Sequence, residues 1–328
     1  MKHLIYVPFT GLGLKGGYRG DTWLKNRINI FQKFTLVSLL HQSNRDFVLW
    51  VQWRPEDELN PLVMKLKETL NSLRDFQFIF TYGGLCFEDD KYDRPHSLER
   101  LKTNLERTLP ELRGVLGTEQ TILMTIQPSD DCYLSHAVQE IQDKAKSLNI
   151  TKPHSIGYRQ GYIMNYQTLE LAEYANQNKD NQTDIESTYN TYTIPPFFTV
   201  VFPRIIFLDP EAHMRWTGPY RSHEYIGNDT TYIGLKNSGF IVGTHGENIS
   251  TTWTHRYKGR MIEGSEKELV LLQAGLDTAE PLILTKEPKR KLEQKFVDLL
   301  PKPLKRRYIR LRSPGIGSAI NDYNYFKI

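Results

Sequence analysis

Apolar positions in the first half of the chain alternate between strand and helix spacing. His3 to Val7 is an apolar run of strand length. From about Thr22 to His41, Leu24, Ile28, Phe31, Phe34, Val37 and Leu40 recur at helical spacing and predict a long amphipathic helix with one core-facing stripe. Phe47 to Trp53 is again rich in strand formers. A helix carrying Leu62, Leu66 and Leu70 leads to a strand over Phe76 to Phe80. Leu98, Leu101, Leu105, Leu109 and Leu112 mark a further helix before the β-branched run Thr121 to Ile126. Strands alternating with helices predict an α/β fold whose sheet is mixed, mainly parallel and flanked by helices.

The last of these strands ends in the most distinctive chemistry. Pro128 stops it, Asp130 and Asp131 follow at once, and Ser135 is placed to cap a helix through Val138, Ile141, Ala145 and Leu148. In open α/β sheets, ligands bind outside the carboxyl ends of the strands. A hard divalent cation such as Mg²⁺ is commonly shared between one or two carboxylates and substrate phosphates, so two acids at a strand end suit that role. The alternative is a solvated Ser-Asp-Asp turn, since these residues initiate turns anyway.

The second half is less regular. Ser155 to Ile163 predicts a strand and turn, in which Arg159, Tyr162 and Tyr166 either face a ligand or pack. Residues 173–193 are polar with little apolar period, a lid or a plain surface insertion. Phe197 to Leu208 returns to strand character, with Asp209 and Glu211 just beyond its end. Between Asp209 and Glu224 lies a second cluster of acids and histidines. A positioned acid there can take the proton of an attacking hydroxyl, with Glu224 the first candidate base and Asp209 the second. Ordinary helix N-terminal acids are the competing reading. Phe240 to Thr244 predicts a strand delivering His245, and Arg256, Lys258 and Arg260 follow on a basic loop suited to an anionic leaving group. Ser265-x-x-Glu268 matches a capping box.

Composition narrows the classes. A chain of 328 residues with 39% hydrophobic content can bury a large core. Cys86 and Cys132 are its two cysteines, too few for a disulfide framework or a zinc-ligand spacing. The longest apolar stretch, Pro195 to Leu208, is interrupted by Pro203 and Arg204, so a cytoplasmic location is expected. Charge is uneven: Lys286 to Arg312 holds eleven Lys/Arg against Glu287, Glu293 and Asp298, a net +8, which leaves −4 for the rest of a chain of net +4. We therefore divide the chain into a domain over 1–280 and a basic extension over 281–328. That extension could contact anionic lipid, giving peripheral membrane association, or could simply close the fold as a solvated face. Nucleic acid is disfavoured, because no binding motif accompanies the charge. Gly11-Leu-Gly-Leu-Lys-Gly16 matches G-x-G-x-x-G, but its last glycine continues a loop instead of opening a helix, with Asp21 the expected cap.

The run from Arg27 to Trp53, RINIFQKFTLVSLLHQSNRDFVLWVQW, resembles the opening of GT-A glycosyltransferases and, more closely, the bacterial putative rhamnosyltransferase family. Ser129-Asp130-Asp131-Cys132 matches that family's aspartate-rich turn, and His245-Gly246-Glu247-Asn248-Ile249-Ser250 its late His-Gly-x-Asn-x-Ser segment. The resemblance spans roughly residues 1–260. It implies a GT-A-like fold, a nucleotide-diphospho-sugar donor, transfer with inversion to a hydroxyl of a glycan or lipid-linked glycan, and a divalent cation (Mg²⁺ or Mn²⁺) on the diphosphate. On it, Asp130 and His245 would serve the metal and diphosphate, and Asp131, Arg27, Arg159 and Arg256 the donor. One departure stands out: Pro128 occupies the first position of the D-x-D pattern, so metal binding rests on Asp130 or gives way to basic side chains. A degenerate, non-catalytic carbohydrate- or nucleotide-binding scaffold and a nucleotidyltransferase are the alternatives.

Overall fold

A computed structural model describes residues 1–10, 20–83, 94–175, 198–217, 231–248, 251–255 and 257–285. Glu224, Arg256, the glycine run after Thr10, most of the polar excursion and the basic extension lie outside the described residues.

The chain begins with β1 (Lys2–Pro8). Helix α1 (Asp21–Ile30) passes through a π-helical turn, Phe31–Thr35, into α2 (Leu36–Leu40). Next come β2 (Val48–Gln52), α3 (Pro61–Asn71), β3 (Phe78–Thr81), α4 (Arg94–Leu116) and β4 (Thr121–Ile126). A two-residue strand β5 (Cys132–Tyr133) precedes α5 (Ala137–Lys146) and the antiparallel pair β6 (His154–Asn165) and β7 (Glu170–Tyr174). Strand β8 (Phe198–Pro203) leads to α6 (Arg204–Phe207) and α7 (Pro210–Thr217). The long β9 (Thr231–Thr244), then β10 (Lys258–Ile262) and α8 (Gly264–Gln273), complete the order.

The sheet is mixed, as its alternating pattern predicts. Its first half is parallel: β1 lies between β2 and β4, and β3 pairs with β2. β8 then runs antiparallel between β4 and β6, and β9 lies parallel to β6 along its whole length. Strand alternation puts side chains on both faces. Ile5, Val7, Leu49 and Val51 pack beneath α1, α3 and α5, through Leu24, Ile28, Val63, Leu66, Leu70 and Ile141. Leu4, Tyr6, Val48 and Trp50 pack on the other face against Leu105, Leu109, Leu112 and Leu116 of α4. Parallel strands buried on both faces account for the near-continuous apolar runs of β1 and β2.

The first long helix departs from its expected stripe at the π-helical turn. Leu24, Ile28 and Phe31 face the main core, but the next residues to do so are Leu36 and Leu39, five positions on. The wider turn rotates Phe34 and Val37 into a separate cluster with Cys132, Tyr166 and Ile241, where Phe34 stacks on Tyr166 with ring centroids 3.7 Å apart.

Three expected caps are also replaced. Ser135 precedes the true N-cap, His136, and the Val138 N–H donates to Gln42 Oε1 on the chain leaving α2. Gly20 takes the cap position before α1 and Asp21 is its first helical residue. Helix α8 starts at Gly264, so Ser265 lies inside it; Val270 is buried, while Leu269 and Leu272 are exposed.

The fold also continues past residue 280. Leu282 is buried and donates its N–H to Tyr166 O, and Asn26 both donates to and accepts from the Thr285 backbone. Among the described residues, no helix is long and apolar enough to cross a membrane.

Candidate active site

Strands β1, β2, β3 and β4 end on one edge of the sheet. There the chain leaving β4 meets the start of α1 and the end of β9. Gln127 extends the ladder by donating its N–H to Tyr6 O, and its side-chain amide donates to Asp131 O, so the turn carrying both acids is held to the sheet. Tyr166, clamped by Phe34, donates its hydroxyl to Asp130 O at 2.9 Å. From the other side comes Gly243, where a Cβ would lie 2.1 Å from Asp130 O. Only glycine permits that approach.

The two aspartates point to different partners. Asp130 Oδ2 receives Arg27 NH1 at 2.7 Å, His245 Nε2 at 3.0 Å and Asn248 Nδ2 at 3.3 Å. Arg27 Nε donates to Ser129 Oγ at 2.8 Å, which fixes the plane of the guanidinium. Asp131 Oδ1 accepts the Gly243 N–H at 2.8 Å. All of Arg27, Asp130, Asp131 and His245 are buried.

Burial opposes charge on both acids, and the neighbours decide the outcome. For Asp130 the Arg27 guanidinium and the His245 imidazole outweigh burial and hold the carboxyl down, to about 2. Asp131 is raised well above its ordinary value by burial and by the charge on Asp130, against which the Gly243 amide is a lesser influence. The two adjacent carboxyls are thus shifted in opposite directions. Such a divergence between adjacent acids is a mark of a functional site.

His245 is locked by its own turn. Gly246 has φ +82, a left-handed conformation that reverses the chain and lets Asn248 fold back. Asn248 Oδ1 then accepts the His245 N–H at 2.7 Å, and its Nδ2 donates to Gly243 O at 2.8 Å. The Glu247 N–H approaches His245 Nδ1 at 3.4 Å, and Nε2 faces both Asp130 Oδ2 at 3.0 Å and Arg27 NH1 at 3.1 Å. The His-Gly-x-Asn pattern is thus a device for holding one imidazole against one carboxylate.

Four of the candidate residues, Arg27, Asp130, Asp131 and His245, are brought together. Asp209 is not. Because β8 is antiparallel to β4, with Pro203 opposite Thr121, the chain leaving β8 emerges at the amino end of β4. That is roughly 20 Å from the acidic turn at ~3.3 Å per residue. There Asp209 caps α7, its Oδ1 accepting the Ala212 N–H at 2.8 Å, so its role is structural. Arg159 lies on β6 six residues before Asn165, its guanidinium against Gly234 of β9. Lys258 and Arg260, expected on a basic loop, lie instead on β10, paired with β7, where Arg260 is exposed and bound to Glu173 and Glu266. Tyr166, read from the sequence as facing a ligand or packing, packs on Phe34 and holds the acidic turn through its hydroxyl. Ser129, Gln127 and Asn248 join the site without having been singled out as candidates; for Ser129 and Asn248 the signal was present in the Ser-Asp-Asp-Cys turn and the His-Gly-x-Asn segment.

The expected divalent ion does not fit the arrangement. A metal bridging Asp130 and His245 would sit between Oδ2 and Nε2, and Arg27 NH1 is there, 2.7 Å from the first and 3.1 Å from the second. Asp131 has Oδ1 taken up by the Gly243 N–H, and burial and the Asp130 charge disfavour its charged form, which makes it a poorer ligand. Among the described residues, no group of three or more His, Cys, Asp or Glu is arranged to hold a metal ion.

No protein-family model and no curated protein matches the sequence. Solved structures align with it at low identity and low TM-score. A fragment of S. aureus TarS aligns over 74% of this chain and 60% of its own, at 10% identity and a TM-score of 0.35; full-length TarS is covered over half its length. A putative nucleotide-diphospho-sugar transferase from Desulfovibrio desulfuricans G20 aligns over 74% of this chain and 82% of its own (13% identity, TM-score 0.33). Francisella tularensis 2-C-methyl-D-erythritol 4-phosphate cytidylyltransferase aligns over 83% and 100% (12% identity, TM-score 0.34). The chemistry is therefore read from the side chains.

Proposed function

We propose that this chain is a glycosyltransferase that takes a sugar from a nucleotide-diphospho-sugar and hands it to a hydroxyl of a glycan or lipid-linked glycan. The observation that carries this reading is the buried Arg27–Asp130–His245–Asn248 cluster at the carboxyl edge of the parallel strands, where α/β sheets bind ligands. The sequence resemblance supports the same reading, and rhamnose is the sugar it points to.

In this reaction the acceptor oxygen attacks the anomeric carbon, the bond from that carbon to the β-phosphate oxygen breaks, and the nucleoside diphosphate leaves with the electron pair. The acceptor proton passes to a base, for which we retain Glu224, since Asp209 is on the far edge of the sheet. Charge develops on the leaving diphosphate, and a fixed cation there stabilises the transition state more than the ground state. Arg27 is placed for that task. Its NH2 makes no hydrogen bond to the described residues, so a planar guanidinium already oriented by Ser129 and Asp130 retains a donor for a phosphate oxygen. Burial and the Asp130 charge work against a second negative charge on Asp131 beside the diphosphate.

The test is to offer the full chain a panel of nucleotide-diphospho-sugars with an oligosaccharide or polyprenyl-linked acceptor and measure nucleoside diphosphate release. Acceptor-dependent release that Glu224→Gln abolishes while donor binding persists is the expected result. Pyrophosphate release from a nucleoside triphosphate would replace this reading with a nucleotidyltransferase. Donor binding with no release of either kind would leave a binding protein.

A further inference from the structure

We infer that Arg27 is the resident cation of this site, a side chain standing where a divalent ion would otherwise bridge Asp130 and His245, and that donor binding is therefore independent of metal. The inference deepens the proposed function and rests on it for the identity of the ligand, a nucleoside diphosphate group.

Position is the first argument. Arg27 NH1 lies 2.7 Å from Asp130 Oδ2 and 3.1 Å from His245 Nε2, between the two side chains the sequence offers as ligands. Saturation is the second. Oδ2 already lies within 3.3 Å of Arg27, His245 and Asn248, and His245 Nε2 lies within 3.1 Å of both Arg27 NH1 and Asp130 Oδ2, so neither atom is open to an incoming ion while Arg27 is in place. The third is how firmly the guanidinium is held. Ser129 fixes Nε, the helix carrying Arg27 is wedged at its π-helical turn by Phe34 against Tyr166, and the neighbouring residue Asn26 is tied to Thr285. A loosely held surface arginine could swing away to admit an ion. This one would have to give up its bonds to Ser129 and Asp130 on the turn after β4.

Pro128 now has a consistent place. Loss of the first carboxylate of a D-x-D pattern removes a metal ligand, and an arginine on an adjacent helix supplies the missing positive charge. The cluster carries a cation by covalent attachment, always present and unaffected by metal supply.

The decisive property is that removing Arg27 should create a metal site. Titrating Mn²⁺ into the full chain, by calorimetry and by electron paramagnetic resonance of the free ion, should show no stoichiometric uptake by the wild type. Arg27→Ala should take up one Mn²⁺ at least tenfold more tightly, and Arg27→Ala with Asp130→Asn should lose it again. Arg27→Lys, which keeps the charge, should stay metal-free. In parallel, UDP, GDP, CDP and dTDP are titrated against the wild type in EDTA and in Mn²⁺; the one that binds should do so within about twofold in both. Either of two results overturns the inference: stoichiometric Mn²⁺ on the wild type that Asp130→Asn abolishes, or a nucleotide affinity that falls tenfold or more in EDTA. Both are read on the wild type, so they decide the matter even if Arg27→Ala does not fold. If no nucleoside diphosphate binds under any condition, the donor reading fails while the Mn²⁺ titrations still decide whether Arg27 is the resident cation.

Discussion

The two edges of the central sheet begin from similar sequence and end in different chemistry. At the carboxyl edge, β4 runs through apolar residues into Pro128 and two aspartates; at the amino edge, β8 runs through apolar residues into Pro203 and then Asp209. Asp130 meets an arginine, an imidazole and a carboxamide brought from α1 and from the turn after β9. Asp209 meets the first turn of its own helix. Nearby His213 is likewise absorbed into structure, buried between Trp50 and Phe202, bonded through Nδ1 to Phe207 O, and lowered by burial to about 4. An acid after an apolar strand is thus not informative by itself. The direction of the strand decides which edge receives the acid, and among the described residues it is at the carboxyl edge that α1 and the turn after β9 bring polar side chains to it.

The sharpest way to break this contrast is to remove each acid in turn. Asp130→Ala should lower transfer on the order of a hundred- to a thousandfold, the usual cost of losing a preorganised electrostatic element. It also strands Arg27 without its partner, so stability should fall by roughly 3–5 kcal/mol, and turnover must be compared at equal folded fraction. Equal loss of transfer from Asp209→Ala under those conditions would erase the distinction between the edges.

A second experiment sharpens it by disturbing the carboxyl edge without touching an acid. Gly243→Ala puts a methyl group 2.1 Å from Asp130 O, so the turn or β9 must shift. Overpacking of this kind typically costs about 1–3 kcal/mol. A melt showing that loss, with reduced donor binding, is expected; an unchanged melt would mean that Asp130 and Gly243 are farther apart than described.

The edge itself contains a contrast between its two acids, visible in pH dependence. Asp130, lowered from an ordinary 3.8 to about 2, contributes stability that is present above 3.8 and lost as pH falls from there towards 2. Asp131 has the opposite sign. Its folded carboxyl is raised, so the native state retains a proton that the unfolded chain gives up near 3.8, and stability declines as pH rises from that point. Asp131→Asn needs no such proton and can still accept the Gly243 N–H through its amide oxygen. Chemical denaturation between pH 2 and 7 should therefore show Asp131→Asn gaining on the wild type as pH rises above 3.8, whereas Asp130→Asn loses ground as pH rises from about 2 to 3.8. Parallel curves for the two variants would mean that the aspartates share one environment.

Much of this was legible in the residues. The β1-to-β4 alternation, the acidic turn after β4 and the strand leading to His245 follow from period and punctuation, which act locally. What was not legible depends on contacts between distant segments. The π-helical turn that breaks the Leu24–Leu40 stripe forms where Phe34 meets Tyr166, and nothing in the local spacing announces that stacking. Ser135 loses its capping role because Gln42 reaches the Val138 N–H from another element. Arg27 could be read as a donor contact, but its insertion between Asp130 and His245 requires α1, the β4 turn and the end of β9 to be docked together. Asp209 was misplaced because an apolar run does not declare whether it is parallel or antiparallel to its neighbour.

The smallest expected effect isolates what Asp209 does. Its Oδ1 satisfies one of the orphan amides at the start of α7, and its carbonyl accepts the His213 N–H at 2.8 Å, a backbone bond that substitution leaves intact. Losing an aspartate cap costs typically about 1 kcal/mol. Asp209→Ala should therefore lower stability by about that amount and leave transfer within about twofold, while Asp209→Asn, whose amide oxygen can still cap, should recover most of the loss. If the asparagine variant were as unstable as the alanine one, the negative charge near the helix N-terminus would be the dominant contribution and not the hydrogen bond. Salt would then distinguish the two, because charge acting on a helix end is screened and a cap hydrogen bond is much less so.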